Sequence, residues 1–371
     1  MKMKKLAAVL LSGLMAVSIA GCGSGSEGSS SDSGSGSSGT SSTSDTKEVS
    51  ASSGGEASSS SSGGSASTEL PDLSGEDLSG ITIGFSMSNG SGDSYGTSYL
   101  NTLNSYAEEM GFNLILLDAV GDVTKQANQI QDLITQQPDV IVVWPVNSES
   151  AVTSVRAIQS AGIPVITANT NVVESGEEYL QGYVGPSNVE EAKLTAGQMV
   201  EDLGGEGNIL FINGKQGYSS ADERKQGLEE AIEGTNIKIL EEQPDEGSRE
   251  KAQQVMENYL VKYGEGEIDA VFAQDDNGAI GAYNAVESAG RVGEFPIYAA
   301  ASGDYGTISY IENGLIRATA VQSPVIDAET ALTWAAWMAL GNELPEFYNY
   351  IDTPLATSDN ISTLDIAEWE S

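Results

Sequence analysis

The run Ser86-Met87-Ser88-Asn89-Gly90-Ser91-Gly92-Asp93-Ser94-Tyr95 gathers hydroxyls, an amide, an acid and one aromatic ring into a glycine-rich loop. Short polar stretches of similar character recur along the chain: Trp144-Pro145-Val146-Asn147, Asn169-Thr170-Asn171, Asn213, Gln274-Asp275-Asp276-Asn277 and Ser302-Gly303-Asp304. Such a mixture suits a neutral polyol, because each hydroxyl is both donor and acceptor and is matched by Asn, Asp, Arg or Gln. An aromatic ring covers the apolar C–H face of the same ligand. The loop makes a poor phosphate cradle. Gly90, Gly92 and Gly96 lack the GxGxxG spacing, and no lysine stands near as a P-loop requires.

Catalytic chemistry is restricted further. The 371 residues include no histidine and one cysteine, which excludes Ser-His-Asp and Cys-His mechanisms, imidazole or thiolate zinc sites and CxxC redox pairs. Asp275-Asp276 resembles a paired-carboxylate hydrolase site only superficially, since adjacent residues at a strand end point in different directions and no partner acid is identifiable. No catalytic residue, metal or cofactor is expected. With 16 basic against 54 acidic side chains, the formal charge of −38 repels phosphate backbones and anionic membrane surfaces. Nucleic acid is therefore excluded as a partner.

The polar stretches follow apolar runs in a regular order. Ile81-Phe85 is a short β-branched run; Tyr99, Leu103, Tyr106 and Met110 then mark one helix face. Leu114-Leu117 reads as the next strand, and Ala127, Ile130, Leu133 and Ile134 as the next helix face, closed by Pro138. Val140-Trp144 is apolar on both faces, as buried parallel strands are. A helix from Glu149 to Ala161 and the strand Pro164-Ala168 follow. The pattern continues as strand 181–184, helix 188–203, strand 208–212, helix 220–233, strand 237–241, helix 249–263, strand 269–273, helix 277–289 and strand 296–301. Such alternation predicts an α/β protein with doubly wound parallel sheets, and this many strands favours two consecutive sheets over one. In open parallel sheets ligands bind outside the carboxyl ends of the strands, which is where every polar stretch above falls.

The chain begins differently. Lys2, Lys4 and Lys5 precede an apolar run from Leu6 to Ala20, which reads as a signal peptide over residues 1–22. Its end, Ile19-Ala20-Gly21-Cys22, resembles a bacterial lipobox, which makes Cys22 the expected lipid attachment point. Residues 23–78 are dominated by Ser, Gly and Thr and predict a disordered tether. A Gly/Ser chain of roughly 50 residues spans about 40 Å r.m.s..

From Gly80 onward the chain resembles the ribose-binding type of bacterial solute-binding protein, a periplasmic-binding-protein-like type I fold. The stretches that carry the resemblance are Gly111-Phe112-Asn113-Leu114, Ala127-Gln137 before Pro138, Gly162-Ile163-Pro164-Val165-Ile166-Thr167, Ala221-Asp222-Glu223-Arg224, Val271-Phe272-Ala273-Gln274-Asp275-Asp276 and Ala318-Thr319-Ala320-Val321-Gln322. LacI-type repressors share similar cores, but the lipobox and the absence of an N-terminal helix-turn-helix argue against that branch. The resemblance implies two doubly wound parallel-sheet lobes joined by a hinge of three crossings near Pro186-Ser187, Gln322-Ser323 and Asp352-Thr353. It assigns 79–186 plus 323–352 to an N-terminal lobe and 187–322 plus 353–371 to a C-terminal lobe.

Carried over by position, the implied ligand-binding residues are Asn89, Asp93, Tyr95, Asn169, Arg224, Asp275, Ser302 and Gln322, with Trp144 as a replacement ring. A second-lobe aromatic of the family falls on Gly247, and Asn169 stands where the family has an acid. These departures predict a wider or differently shaped pocket that suits a larger sugar or disaccharide. Each position has a structural alternative: Asn89, Asp93 and Asn169 as caps or turns, Tyr95 and Trp144 as core, and Arg224 in a surface salt bridge among Asp222, Glu223 and Glu229.

The expected function is capture of a sugar or related polar solute outside the cytoplasm and its delivery to an ABC permease, by a monomer anchored to the membrane through Cys22. A sensory receptor coupled to a membrane kinase or chemoreceptor shares every one of these features, and a carbohydrate-active enzyme is the third alternative.

Overall fold

The computed structural model describes residues 68–364 other than Asp93 and Asp304. The signal peptide, Cys22, most of the tether and Asp93 lie outside the described residues. So do the side chains of Ser302 and Tyr305.

In chain order the first group of elements is β1 (Thr82–Met87), α1 (Ser94–Met110), β2 (Asn113–Asp118), α2 (Val123–Gln136), β3 (Val140–Val143), α3 (Ser148–Ser160), β4 (Val165–Ala168) and β5 (Gly182–Gly185). The second is α4 (Asn188–Asp202), β6 (Glu206–Asn213), α5 (Ser219–Ile232), β7 (Asn236–Pro244), α6 (Arg249–Lys262), β8 (Ala270–Ala273), α7 (Asp276–Ser288), β9 (Ile297–Ser302), α8 (Tyr305–Glu312) and β10 (Ala318–Val321). Helix α9 (Pro324–Ala339) and the short strands β11 (Tyr348–Tyr350) and β12 (Leu355–Thr357) complete the chain.

Two six-stranded sheets result, ordered β11-β5-β4-β3-β1-β2 and β12-β10-β9-β8-β6-β7. All neighbours pair in parallel except β12, which runs antiparallel to β10. The chain crosses between sheets after β5, after β10 and between β11 and β12, which are the three expected crossings. Why apolar runs became central strands is visible in β3. Val140 and Val142 enter one core cluster, Ile141 and Val143 the other, so both sheet faces are covered. In β6, Leu210 and Ile212 face one cluster of the second lobe and Ile209 and Phe211 the other.

Helix α2 departs from its expected face. Asp122 caps it by accepting from the Lys125 N–H at 2.9 Å, and Gln137 ends it in the left-handed region. Yet Ala127 is exposed and Gln126 is buried. The Gln126 amide donates to the Trp144 carbonyl at 2.8 Å and to Ser86 Oγ at 3.3 Å, while its Oε1 accepts from the Val146 N–H at 2.8 Å. One polar side chain thereby ties the ends of β1 and β3 together, a use for a buried amide that apolar periodicity misses. In the second lobe, a Cβ on Gly227 would lie 2.3 Å from the Val189 carbonyl, so glycine permits α5 to lie close on α4.

Candidate ligand-binding site

A cavity of about 240 Å³ lies between the carboxyl edges of the two sheets. Asn89, Tyr95, Trp144, Asn169, Arg224, Asp275 and Gln322 all line it, together with Gly247. Ser302 is the last residue of β9, at the carboxyl edge of the second sheet.

The first lobe supplies the aromatic wall. Tyr95 stands in the first turn of α1, its ring edge-on to Trp144 at 6.1 Å, and Tyr99 packs behind Trp144 at 4.9 Å. Trp144 is thus core on one side and cavity wall on the other. Asn169 follows β4 with a φ of 61°, a conformation that Asn tolerates better than most residues. Its backbone is held there by the Val184 carbonyl and by the Tyr183 hydroxyl, which donates to the Asn169 carbonyl at 2.8 Å.

A chain of hydrogen bonds crosses from lobe to lobe. The Tyr95 hydroxyl donates to Asp327 Oδ2 at 2.8 Å and accepts from Gln322 Nε2 at 2.8 Å and Asn169 Nδ2 at 3.2 Å. Asn169 Nδ2 also donates to Asp327 Oδ2, at 2.7 Å. Gln322 Oε1 in turn accepts from Arg224 Nη2 at 2.8 Å, and the same nitrogen donates to Glu191 Oε2 at 3.1 Å. Burial pushes Asp327 up to about 7, against the lowering effect of its three amide and hydroxyl partners. Burial likewise raises Glu191 to about 7 despite the Arg224 guanidinium. The surface salt bridge expected for Arg224 does not form: the side chain is buried, and its carboxylate partner is on α4 rather than among its neighbours on α5.

Asp275 does two things at once. It caps α7, with Oδ1 accepting from the Gly278 N–H at 2.9 Å, while Oδ2 accepts from Gln274 Nε2 at 3.2 Å. Behind it Asp245 is buried and raised to about 8, by burial first and then by the Asp275 charge. Asp276 Oδ2 accepts from the Gly303 N–H at 2.6 Å and fixes the turn after β9.

The second lobe also sends a loop across the cleft that the polar-stretch argument missed. Ser148 N–H and Asn147 Nδ2 donate to the Gly217 carbonyl at 2.9 and 3.1 Å. The Tyr218 hydroxyl shares a hydrogen bond with Ser88 Oγ at 3.0 Å, and Ser219 Oγ accepts from the Asn171 N–H at 3.1 Å. Lys215, on the same loop, lines the cavity with Nζ 4.7 Å from the Tyr218 ring centroid. The only sequence cue was Asn213 at the end of β6, immediately before the loop.

The cavity is smaller than the expected disaccharide pocket, and falls below the roughly 300–1,000 Å³ of sites for drug-sized ligands. Tyr218 and Trp144 both line it, so the open position at Gly247 does not leave it unwalled. Several polar atoms of its lining side chains are buried without a partner among the described residues: the donors Trp144 Nε1 and Arg224 Nε and the acceptors Asn89 Oδ1 and Gln274 Oε1. Buried polar groups are almost always hydrogen-bonded, and a set holding both donors and acceptors is matched by hydroxyls.

The model of the periplasmic binding protein domain matches residues 83–343. A xylitol-binding protein of Mycolicibacterium smegmatis is 30% identical over 260 residues, covering 70% of this chain and 72% of that protein. The ribose import binding protein of Haemophilus influenzae is 28% identical over 218 residues, 59% of this chain and 72% of the relative. Among solved structures, an ABC transporter solute binding protein from Bacillus halodurans with bound myo-inositol superposes with a TM-score of 0.71 at 27% identity, covering 77% of this chain and 97% of that one. One from Mycobacterium smegmatis with bound glycerol gives 0.70 at 30% identity, covering 78% and 99%.

Proposed function

Because the chain belongs to the periplasmic binding protein domain family, we propose that it captures a monosaccharide-sized sugar or cyclic polyol between its lobes and passes it to an ABC import permease. The observation that carries this reading is the convergence of amide, carboxylate and guanidinium side chains and an aromatic wall from both lobes on one cavity of about 240 Å³. Relatives named for xylitol and ribose and structural neighbours holding myo-inositol and glycerol support it.

In this reading there is no chemical step. The ligand favours the arrangement of the lobes that contacts it from both sides, and release accompanies their separation. Arg224 and Gln322 present N–H groups to ring hydroxyls, Asn89, Asn169 and Asp275 supply further polar partners, and Trp144 and Tyr95 cover an apolar face. Asp93 and Ser302 belong to the same assignment. The protein works outside the cytoplasm as a monomer, anchored through a lipid on Cys22 and held off the membrane by residues 23–78.

A thermal-shift screen of the full chain over monosaccharides, cyclitols, linear polyols, disaccharides, nucleosides and amino acids tests the proposal. A ligand at 100 times its Kd stabilises the fold by about 2.7 kcal/mol. A monosaccharide or cyclitol is expected to give the largest shift. A shift confined to nucleosides or amino acids overturns the reading.

A further inference from the structure

A second cavity, of about 170 Å³, lies beside the crossing that follows β5, walled in part by Glu177, Tyr183, Asn188, Glu223, Tyr348 and Tyr350. Glu177 and the tyrosines belong to the first lobe; Asn188 on α4 and Glu223 on α5 belong to the second. Tyr348 and Tyr350 alternate along β11, which puts them on one face, and their rings stack at 5.8 Å and 11°. Tyr183 meets both edge-on, at 6.2 and 6.3 Å. Three rings and two carboxylates thus line one small space.

Hydrogen bonds reach both carboxylates from residues around this space, the Ser219 side chain among those on Glu223. Glu177 Oε1 accepts from the Tyr348 hydroxyl at 2.7 Å and from Asn171 Nδ2 at 2.8 Å. Glu223 Oε2 accepts from Asn188 Nδ2 at 2.9 Å. That bond fixes the orientation of the Asn188 amide, and its Oδ1 is buried with no donor among the described residues, on a residue only 2% exposed. No lysine or arginine among the described residues lines the cavity. The N-terminus of α4 contributes about half a positive charge, and the Arg224 charge and the Asn188 and Ser219 hydrogen bonds act on Glu223 from outside the cavity without overcoming its burial. Burial pushes Glu223 above the ordinary glutamate range, and a cation alongside would relieve that. Two carboxylates are too few for a metal centre, and no group of three or more metal-ligating residues occurs among the described residues.

We propose that this hinge cavity is a second binding site, for a small organic cation of the alkylammonium class. Its N–H groups donate to Glu177 and Glu223, and its charge and C–H surface lie against the tyrosine rings, an arrangement in which cation–π attraction adds to the ionic hydrogen bonds. Because the walls come from both lobes, occupancy favours the lobe arrangement that brings Glu177 and Glu223 together. The site stands independently of which solute fills the main cleft.

Calorimetric titration of the full chain with ethylammonium, at about 150 mM salt to screen the general negative charge, is expected to show saturable one-to-one binding. Glu223→Gln and Tyr348→Leu, the latter at a residue 40% exposed and so tolerant of change, should each weaken binding about tenfold or more, with melting curves confirming that both variants are folded. Tetramethylammonium, which has no N–H, should bind at least as much more weakly. Absence of saturable binding, undiminished binding in both folded variants, or equal binding of tetramethylammonium overturns the proposal.

Discussion

Arg224 Nη2 lies 2.8 Å from Gln322 Oε1 and 3.1 Å from Glu191 Oε2, so one guanidinium nitrogen joins the second lobe to the crossing that leads back into the first. Arg224→Ala removes a cavity-lining donor and leaves Glu191 buried without its cation. Affinity for whichever sugar gives the largest thermal shift should fall by about tenfold to a hundredfold, since hydrogen bonds to charged groups contribute about 1.5–3 kcal/mol. Stability should fall as well, by less than the roughly 3–5 kcal/mol of a fully orphaned charge, because Glu191 already titrates near 7 and takes up a proton instead. Calorimetry and denaturant melts read the two effects separately. Unchanged affinity in a folded variant would remove Arg224 from the site.

The contact between Gly217 and Asn147 tests lobe closure. Gly217 has a φ of 86°, and a Cβ there would lie 2.2 Å from Asn147 Nδ2 across the cleft. Gly217→Ala therefore adds about 1 kcal/mol of left-handed strain plus a clash that exists only when the lobes meet. Sugar affinity should drop about tenfold, mostly through faster dissociation in stopped-flow measurements. The ligand-induced compaction seen by small-angle scattering should shrink with it.

How much of this was legible in the chain depends on the range of the interaction. Strands such as Val140–Val143 announced themselves because burial on both faces demands an unbroken apolar run. Tyr95, Asn169 and Asp275 stand in stretches picked out by a topological rule, that sites gather at the carboxyl ends of parallel strands, whereas Gln322 was pointed to by the family resemblance alone; all four line the cavity. Arg224 was located, but its environment was not: neighbouring acids suggested the surface, whereas the partner that matters is Glu191, brought in by the packing of α5 on α4. Asp327 left no trace at all, since a carboxylate in the first turn of α9 looks like an ordinary helix-start residue until Tyr95 and Asn169 are folded against it. The loop from Gly214 to Ser219 was missed for the same reason, its role being defined only by what faces it across the cleft.

Gln126 offers a test of stability without touching the cavity. Gln126→Leu fills similar space but strips the Trp144 carbonyl and the Val146 N–H of their partner. Each orphaned buried group costs about 1–3 kcal/mol, so with two of them unfolding free energy should fall by about 2–6 kcal/mol. Urea denaturation should show a lower midpoint at an unchanged slope. A loss below half a kcal/mol would mean that the strand ends hold without this amide.

The buried acids set a pH dependence whose sign follows from the direction in which burial moves them. Asp327 and Glu191 at about 7 and Asp245 at about 8 are all raised above their unfolded values, so between roughly pH 4 and 8 the folded chain binds more protons than the unfolded one. Their stabilising contribution is complete below pH 4 and is lost as pH rises through 7 to 8, every tenfold difference in proton affinity between the folded and unfolded chain being worth about 1.4 kcal/mol. The melting temperature should therefore decline from pH 5 to pH 8 where carboxylate repulsion elsewhere is screened by salt. Asp327→Asn preserves the acceptor for Tyr95 and Asn169 and places its amide where Oδ1 meets no partner. It should flatten the decline without abolishing it, because Glu191 and Asp245 still titrate. A slope identical to that of the parent would show that Asp327 is ionised in the folded protein at pH 5.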